Sequence, residues 1–450
     1  MSSTTIPKAP GALPVIGRSA ALFRNPLRFL SQVANAGDVI QVRIGPFKTI
    51  AVCEPELARS VFRNDHDFDK GGPIFDLIKE VTGHRSMVVM DHDEHRTRRR
   101  MVQPAFHASR FPGYADVILE QVETVMDSWQ EGQWIDLYEE MKLITARIGL
   151  ISMFSHVQPD WVLDSALRDS ITIMNGVFRR IIAPSFINRL PTPDNIRYNK
   201  ANARLRGVVD RIIEEYRRSS VDRGDLLSVL LNAEGSEPAE GRTAAAITNT
   251  DVHDEVTVFF LAAMDTTAAA LAWTLTELMH HPEVRQRVQD EMERELGGRR
   301  ATLGDMPRLT YTTQVACESL RLHPPVWLLT RNANTDTELA GHAVKAGSAI
   351  FVSPYILHQR KEVFPDPGRF DPDRWAGPQM TKKIRDALLL FGFGSHKCIG
   401  EVFAMTEMTL ALARILPNWK LEPREDSKVR PATSFVLSPR HSMARLTRIG

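Results

Sequence analysis

Phe391-Gly392-Phe393-Gly394-Ser395-His396-Lys397-Cys398-Ile399-Gly400 is the stretch on which the reading of this chain turns. Its two leading glycines permit a tight bend, and an apolar helical run, Glu401–Leu416, follows at once. Cys398 therefore falls at the start of a helix, where unpaired N–H groups and the helix dipole stabilise a thiolate. His396 and Lys397 add positive character beside it. A cysteine so placed serves as a metal ligand or a nucleophile; the plain alternative is a small buried apolar residue, as most free cysteines are. The other two cysteines, Cys53 and Cys317, form no CxxC pair, which leaves neither a disulfide framework nor a zinc cluster.

Outward from this loop the chain is mostly helical. Ile6–Gly17 reads as an extended lead-in, and Asn25-Pro26 supplies an N-cap and a first-turn proline for a helix over Leu27–Ala36. Val39–Cys53, β-rich around Gly45-Pro46, predicts a hairpin. From Arg59 to Arg300 nearly everything favours helix, with a short piece at Leu226–Asn232 and a polar, mobile loop at Ala233–Thr243. The longest helix starts near Thr248 or Thr250, carries Asp251, Asp254 and Glu255 in its first turn, and breaks at His281-Pro282. Val256, Phe259, Phe260 and Ala263 follow the i, i+3, i+4, i+7 rule, which predicts one buried face. Tyr311–Leu322 is a further helix, and Trp327–Arg331 and Ala349–Ser353 are β-prone. The fold class is mainly α with a small β part. The N-terminal hairpin needs the C-terminal strands as sheet partners, so 1–450 reads as a single domain.

The 450 residues carry 56 Lys+Arg against 55 Asp+Glu, a net charge of +1, which argues against capture of nucleic acid or an anionic membrane by bulk charge. Met1–Pro14 has no secretory pattern, and Val256–Leu278 carries Asp265 and Glu277, which lipid would tolerate poorly. The expectation is a cytoplasmic protein without a stable membrane anchor. Gly392-x-Gly394 lacks the third glycine of a nicotinamide site, and neither a phosphate-binding loop nor a Gly-x-Ser-x-Gly elbow is present.

Three further constellations can carry chemistry. Glu318 and Arg321 share a helix face at i, i+3, although such pairs are usually solvated bridges. Asp265 and Thr266 place an acid and an alcohol mid-helix, costly unless used or satisfied; the bland reading is a threonine bonded back to its own helix. His95 and Arg99 project together at i, i+4, while His92-x-x-His95 lacks the spacing of zinc hydrolases. Arg96, Arg98 and Arg100 form either a wet helix face or, with Lys397, a docking surface for an acidic electron-transfer protein.

The spacing Phe-Gly-x-Gly-x-His-x-Cys-x-Gly resembles the haem-binding loop of the cytochrome P-450 monooxygenases. The supporting motifs stand in family order: His95/Arg99, Asp265/Thr266, Glu318/Arg321, Pro372–Trp375 and Cys398. The resemblance implies the cytochrome P-450 fold, with haem b held between the long helix and the cysteine loop and Cys398 as the iron ligand. It implies that His95, Arg99, Arg331 and His396 bind the haem carboxylates. Asp265 and Thr266 become the catalytic pair, one relaying protons and the other bonding to dioxygen. Glu318 and Arg321 are expected to meet a second arginine, Arg374 of Pro372-Asp373-Arg374-Trp375, with Arg369 a rival for that place. Ala263 departs from the glycine usual in the family, and its methyl would crowd the groove.

The regions that face substrate in the family supply Ile74, Phe75, Met87, Val88, Phe178, Phe259, Ala262, Trp327, Leu328, Leu329 and Phe435, nearly all apolar. The implied reaction is hydroxylation of a hydrophobic natural-product precursor, a terpenoid, with dioxygen and electrons from ferredoxin and ferredoxin reductase, by a monomer. A polyketide, macrolide or fatty acyl substrate, or a peroxide-using haem-thiolate enzyme, is the alternative.

Overall fold

The Asn25 side chain accepts the N–H of Arg28 at 3.0 Å, and Pro26 opens the helix Pro26–Ala34, so a cap and a proline start this element as their order predicts. The structure, a computed structural model, describes residues 5–11, 17–45, 47–154, 160–182, 185–219, 223, 225–234, 247–377, 380–425 and 428–449. The chain forms two units, each from two stretches: Met1–Asp76 with Cys317–Cys398, and Leu77–Ala316 with Ile399–Gly450.

In the first unit the hairpin Val39–Ile44 and Phe47–Val52 pairs antiparallel, Val39 opposite Val52. Its second strand runs parallel to Ala349–Val352, which pairs in turn with Leu329–Ala333, and Phe68–Asp69 closes the edge of a five-stranded sheet. The C-terminal strands thus complete the N-terminal hairpin, as its length required. Leu329–Ala333 begins two residues later than expected, because the Trp327 carbonyl accepts the Ser353 hydroxyl at 2.7 Å instead of a ladder partner. Val39, Ile50, Val52, Phe62, Ile350 and Leu389 share one apolar core. Helix Pro55–Arg63 packs in the same core through Ala58, Val61 and Phe62.

Among the described residues, the second unit is helical apart from two small sheets. Its longest helix, Asn249–His280, starts from a reciprocal Thr248/Asp251 cap and stops before Pro282. It packs along helix Leu137–Phe154, where the Thr145 hydroxyl donates to the Met264 carbonyl at 2.7 Å. This helix is long and apolar enough to cross a membrane by length and composition, but 78% of its most apolar window is buried inside the chain. Two strands interrupt the expected helical run, Phe68–Asp69 in the first unit and Trp134–Asp136 in the second. Trp134–Asp136 pairs with Met443–Arg445, a partnership no local pattern reveals. Asp225 caps the helix Leu226–Ala233, and most of the expected loop Ala233–Thr243 lies outside the described residues.

Candidate active site

Gly392 and Gly394 adopt φ of +75° and +70°, so the bend predicted from the glycines is real. The Cys398 N–H donates to the Phe391 carbonyl at 2.8 Å, which closes the loop and leaves the cysteine exposed. Cys398 sits two residues ahead of Gly400, the N-cap of helix Glu401–Ile415, slightly outside the helix rather than in its first turn.

One segment holds this loop residue by residue. Arg59 lies 4.6 Å from the Phe393 ring centroid and pairs with Asp386. A Cβ at Gly394 would overlap the Phe62 carbonyl oxygen. The Ser395 hydroxyl donates to Asp65, and Asp69 Oδ1 meets His396 Nε2 at 2.8 Å. Burial pushes the His396 imidazole below its usual range, with Asp69 opposing. Asp65 and Asp69 escaped the sequence reading, since nothing local marks them.

Arg331 is 6% exposed and lies 4.7 Å from the Phe62 ring centroid. Burial pushes its guanidinium down to about 10, partly offset by Asp69 and Asp65. Its Nη1 donates to the Thr330 carbonyl at 2.8 Å, but Nε has no acceptor and no ion pair forms among the described residues. A buried cation beside a thiol-bearing loop, with a donor to spare, fits a cofactor that brings its own carboxylate.

Behind the loop, in the same unit, Glu318 and Arg321 are fully buried rather than solvated. Arg321 Nε and Nη2 each donate to the carboxylate at 2.8 Å, and Nη1 reaches the His358 and Pro367 carbonyls at 3.0 and 2.8 Å. Arg374 Nε stands 3.3 Å from Glu318 Oε1, whereas Arg369 offers only its backbone carbonyl to Arg321. Trp375 Nε1 and the Asp371 N–H, both at 3.0 Å, complete the shell around Glu318. His358 is pushed down to about 3 by burial and by Arg321, so it stays neutral and accepts the Leu389 N–H.

In the second unit, the long helix is buried from Asp251 to Thr276 except at Phe259, Ala262, Ala263 and Thr266. Those four positions are i, i+3, i+4 and i+7, a single stripe. This corrects the expected packing: Val256 and Phe260 are core, while Phe259 and Ala263 are half-buried members of the stripe. Thr266 Oγ1 donates to the Ala262 carbonyl at 2.7 Å. Asp265 is 8% exposed, its carboxyl raised above the usual range by burial, and it accepts a hydrogen bond from Tyr138, a partner the sequence did not disclose.

The first-turn acids of that helix do more than complement its dipole. Asp254 accepts the Arg85 N–H at 3.1 Å and Glu255 the Met87 N–H at 2.8 Å, which pins the segment before helix His92–Val102. Arg98 is 6% exposed and donates to Asp251 at 2.6 Å, so it is no part of a docking surface; Arg96 and Arg100 are exposed. His95 is buried and Arg99 partly so. Phe259, Ala263 and Phe435 pack on one apolar cluster, with Phe259 5.6 Å from Phe106 between ring centroids. Val88 is half-buried and Met87 buried in this unit; Phe75 and Trp327 are buried, and Ile74, Leu328 and Leu329 half-buried, in the other. The Phe178 side chain lies outside the described residues.

The structure thus holds a closed cysteine loop, a buried Glu–Arg pair and an acid–alcohol pair on a long helix. The family model for cytochrome P-450 matches residues 7–444, and the chain belongs to the cytochrome P-450 family. It is an oxidoreductase, a monooxygenase, and the family implies a haem cofactor and the use of dioxygen. The chain is 42% identical to the cyclooctat-9-en-7-ol 5-monooxygenase of Streptomyces melanosporofaciens, over 92% of this chain and 89% of that one. It is 38% identical to the cyclooctatin synthase of the same organism, over 96% and 93% of the two chains. The pentalenene oxygenase of Streptomyces avermitilis is 36% identical, over 98% and 96%. The crystal structure of the cytochrome P-450DA heme domain has the same fold, with a TM-score of 0.88 over 99% of this chain and 98% of that one at 24% identity.

Proposed function

We propose that this monooxygenase hydroxylates a hydrophobic natural-product precursor, a terpenoid, with electrons from a ferredoxin and its reductase. The observation that carries the reading is the open stripe Phe259, Ala262, Ala263 and Thr266, one alcohol among apolar side chains on a helix otherwise buried from Asp251 to Thr276. Such a face selects a hydrocarbon by shape and meets few polar groups. The names of the relatives support the class, since pentalenene and cyclooctat-9-en-7-ol denote cyclic hydrocarbon frameworks with at most one hydroxyl.

Cys398 would hold the iron of haem b, and Arg331, His396, His95 and Arg99 would serve its carboxylates. When bound, the haem supplies the redox chemistry that activates dioxygen, with electron donation from the thiolate. Burial pushes the Asp265 carboxyl above its usual range, which suits a group that takes up and gives off a proton. Thr266 spends its own proton on the Ala262 carbonyl, so Oγ1 can accept a hydrogen bond on the open face. Lys397, Arg96 and Arg100 are exposed and suit an acidic ferredoxin. The chain would act as one domain and as a monomer.

The test is a carbon monoxide difference spectrum of the reduced protein, followed by spin-state titrations with cyclic terpenes, fatty acids and macrolides. The thiolate-type band should appear in the wild type and vanish in Cys398→Ser. Its survival in that variant refutes the ligand. A spin shift with fatty acids or macrolides alone overturns the substrate class.

A further inference from the structure

Adjacent residues on a helix point about 100° apart, so Asp265 and Thr266 look in different directions. Thr266 belongs to the open stripe, whereas Asp265 turns into the contact with helix Leu137–Phe154. That contact is registered: Thr145 bonds to the carbonyl of Met264, the residue before Asp265. The first turns of this helix bring Tyr138 to the carboxyl and two charged groups behind it. Tyr138 donates its phenol proton to Asp265 Oδ1. Lys142, one turn further on, lies 4.7 Å from the Tyr138 ring centroid, with its side chain 7% exposed. Its ammonium pairs at 2.7 Å with Glu139, whose side chain is 63% exposed. Glu139 is exposed, Tyr138 half-buried, and Lys142 and Asp265 buried.

We propose that Tyr138 is the positioning residue of the Asp265 carboxyl, and that the Lys142 ammonium, held against the Tyr138 ring and paired with Glu139, fixes the phenol in that place. The proposal rests on the reading of Asp265 as the proton relay. Tyr138 holds one carboxyl oxygen and leaves the other to take up and release the proton. Each proton that leaves Asp265 is replaced by one taken up from the buffered solvent, so the carboxyl ends each turnover as it began. The phenol stays neutral throughout, because burial and the adjacent carboxylate push its ionisation far above the usual range. The groups acting electrostatically or by hydrogen bond on Asp265 are Tyr138, Lys142 and Glu139. Burial raises the carboxyl, while Tyr138 and Lys142 pull it back. Losing either partner therefore raises it further.

The experiment compares Tyr138→Phe, Lys142→Gln and Asp265→Asn in the haem-loaded enzyme. The infrared carbonyl band of a protonated carboxylic acid, assigned by its loss in Asp265→Asn, should persist to higher pH in Tyr138→Phe and Lys142→Gln than in the wild type. Product formed per electron pair should fall about tenfold in Tyr138→Phe, the worth of one hydrogen bond to a charged group, and the solvent deuterium isotope effect on turnover should grow in both. Substrate-induced spin shifts should stay unchanged, which separates positioning from general damage. If Asp265→Asn alone collapses turnover while band and isotope effect stay at wild-type values in the other two, the positioning role is refuted and the relay stands. If Asp265→Asn leaves turnover intact, the relay itself fails. Should Tyr138→Phe not load haem, Lys142→Gln decides by the same band and isotope effect.

Discussion

The loop that carries Cys398 and the middle of the long helix both present a reactive group at an open face, and they do so by opposite means. In the loop, the segment from Arg59 to Asp69 meets Phe393, Gly394, Ser395 and His396 in turn, through a cation over a ring, a backbone contact and two carboxylates. In the helix, the backbone ladder does the holding, and Ala262 and Ala263 keep the stripe open by being small. The loop is polar, non-local and intolerant of single atoms. The helix face is steric and should respond gradually to side-chain size.

The contrast breaks most sharply at the buried ion pair in the loop's own unit. Glu318→Ala leaves the Arg321 guanidinium fully buried without its counter-ion, and we expect a loss of about 3–5 kcal/mol in urea unfolding. A midpoint close to wild type would mean that the carbonyls around Arg321 suffice. Next comes Gly394→Ala, which adds a clash with the Phe62 carbonyl to a left-handed backbone cost of about 1–2 kcal/mol. Haem incorporation should be largely lost with far-ultraviolet circular dichroism unchanged, and full incorporation would show that the loop has slack.

Glu407, on helix Glu401–Ile415 in the other unit, sharpens the comparison from the apolar side. Its carboxyl is 1% exposed, Oε1 has no partner among the described residues, and burial raises it well above the usual range. The folded chain keeps a proton that the unfolded chain releases. Stability is therefore full below the unfolded carboxyl's pKa, about 4.3, and falls as pH rises toward the folded value. Glu407→Gln lacks that fall, so its melting temperature should gain on the wild type as pH rises from 4 to 8. A constant gap across that range counts against a buried neutral acid. The smallest effect is at Ala263→Gly, about 1 kcal/mol of helix stability, with spin shifts extending to bulkier hydrocarbons; an unchanged size limit would remove the methyl from the groove.

Much of the site was legible because its signals are contiguous or helical. The cysteine loop is ten residues in a row, and Glu318/Arg321 and Asp265/Thr266 are separated by one turn or less. Their partners were not legible. Tyr138 lies 127 positions from Asp265 and Asp69 lies 327 from His396, and nothing around either marks the meeting. Arg98 was misread for a related reason: His92–Val102 is charged almost throughout, so no apolar stripe announces which side is buried. Likewise, alanine and phenylalanine occupy both the core and the open face of the long helix, and periodicity alone cannot tell one from the other.

The amino-acid order by itself determined the mainly α character, the bend at Gly392 and Gly394, the capped start and proline stop of the long helix, and the family. Each of these rests on backbone preferences or spacings felt within about one turn. Only the tertiary structure decided that Arg374 rather than Arg369 faces Glu318, that Arg98 is buried, which stripe stays open, and that Tyr138 holds Asp265. Those outcomes depend on desolvation and on the direction of side chains brought together from distant positions, and neither quantity exists until the chain has packed.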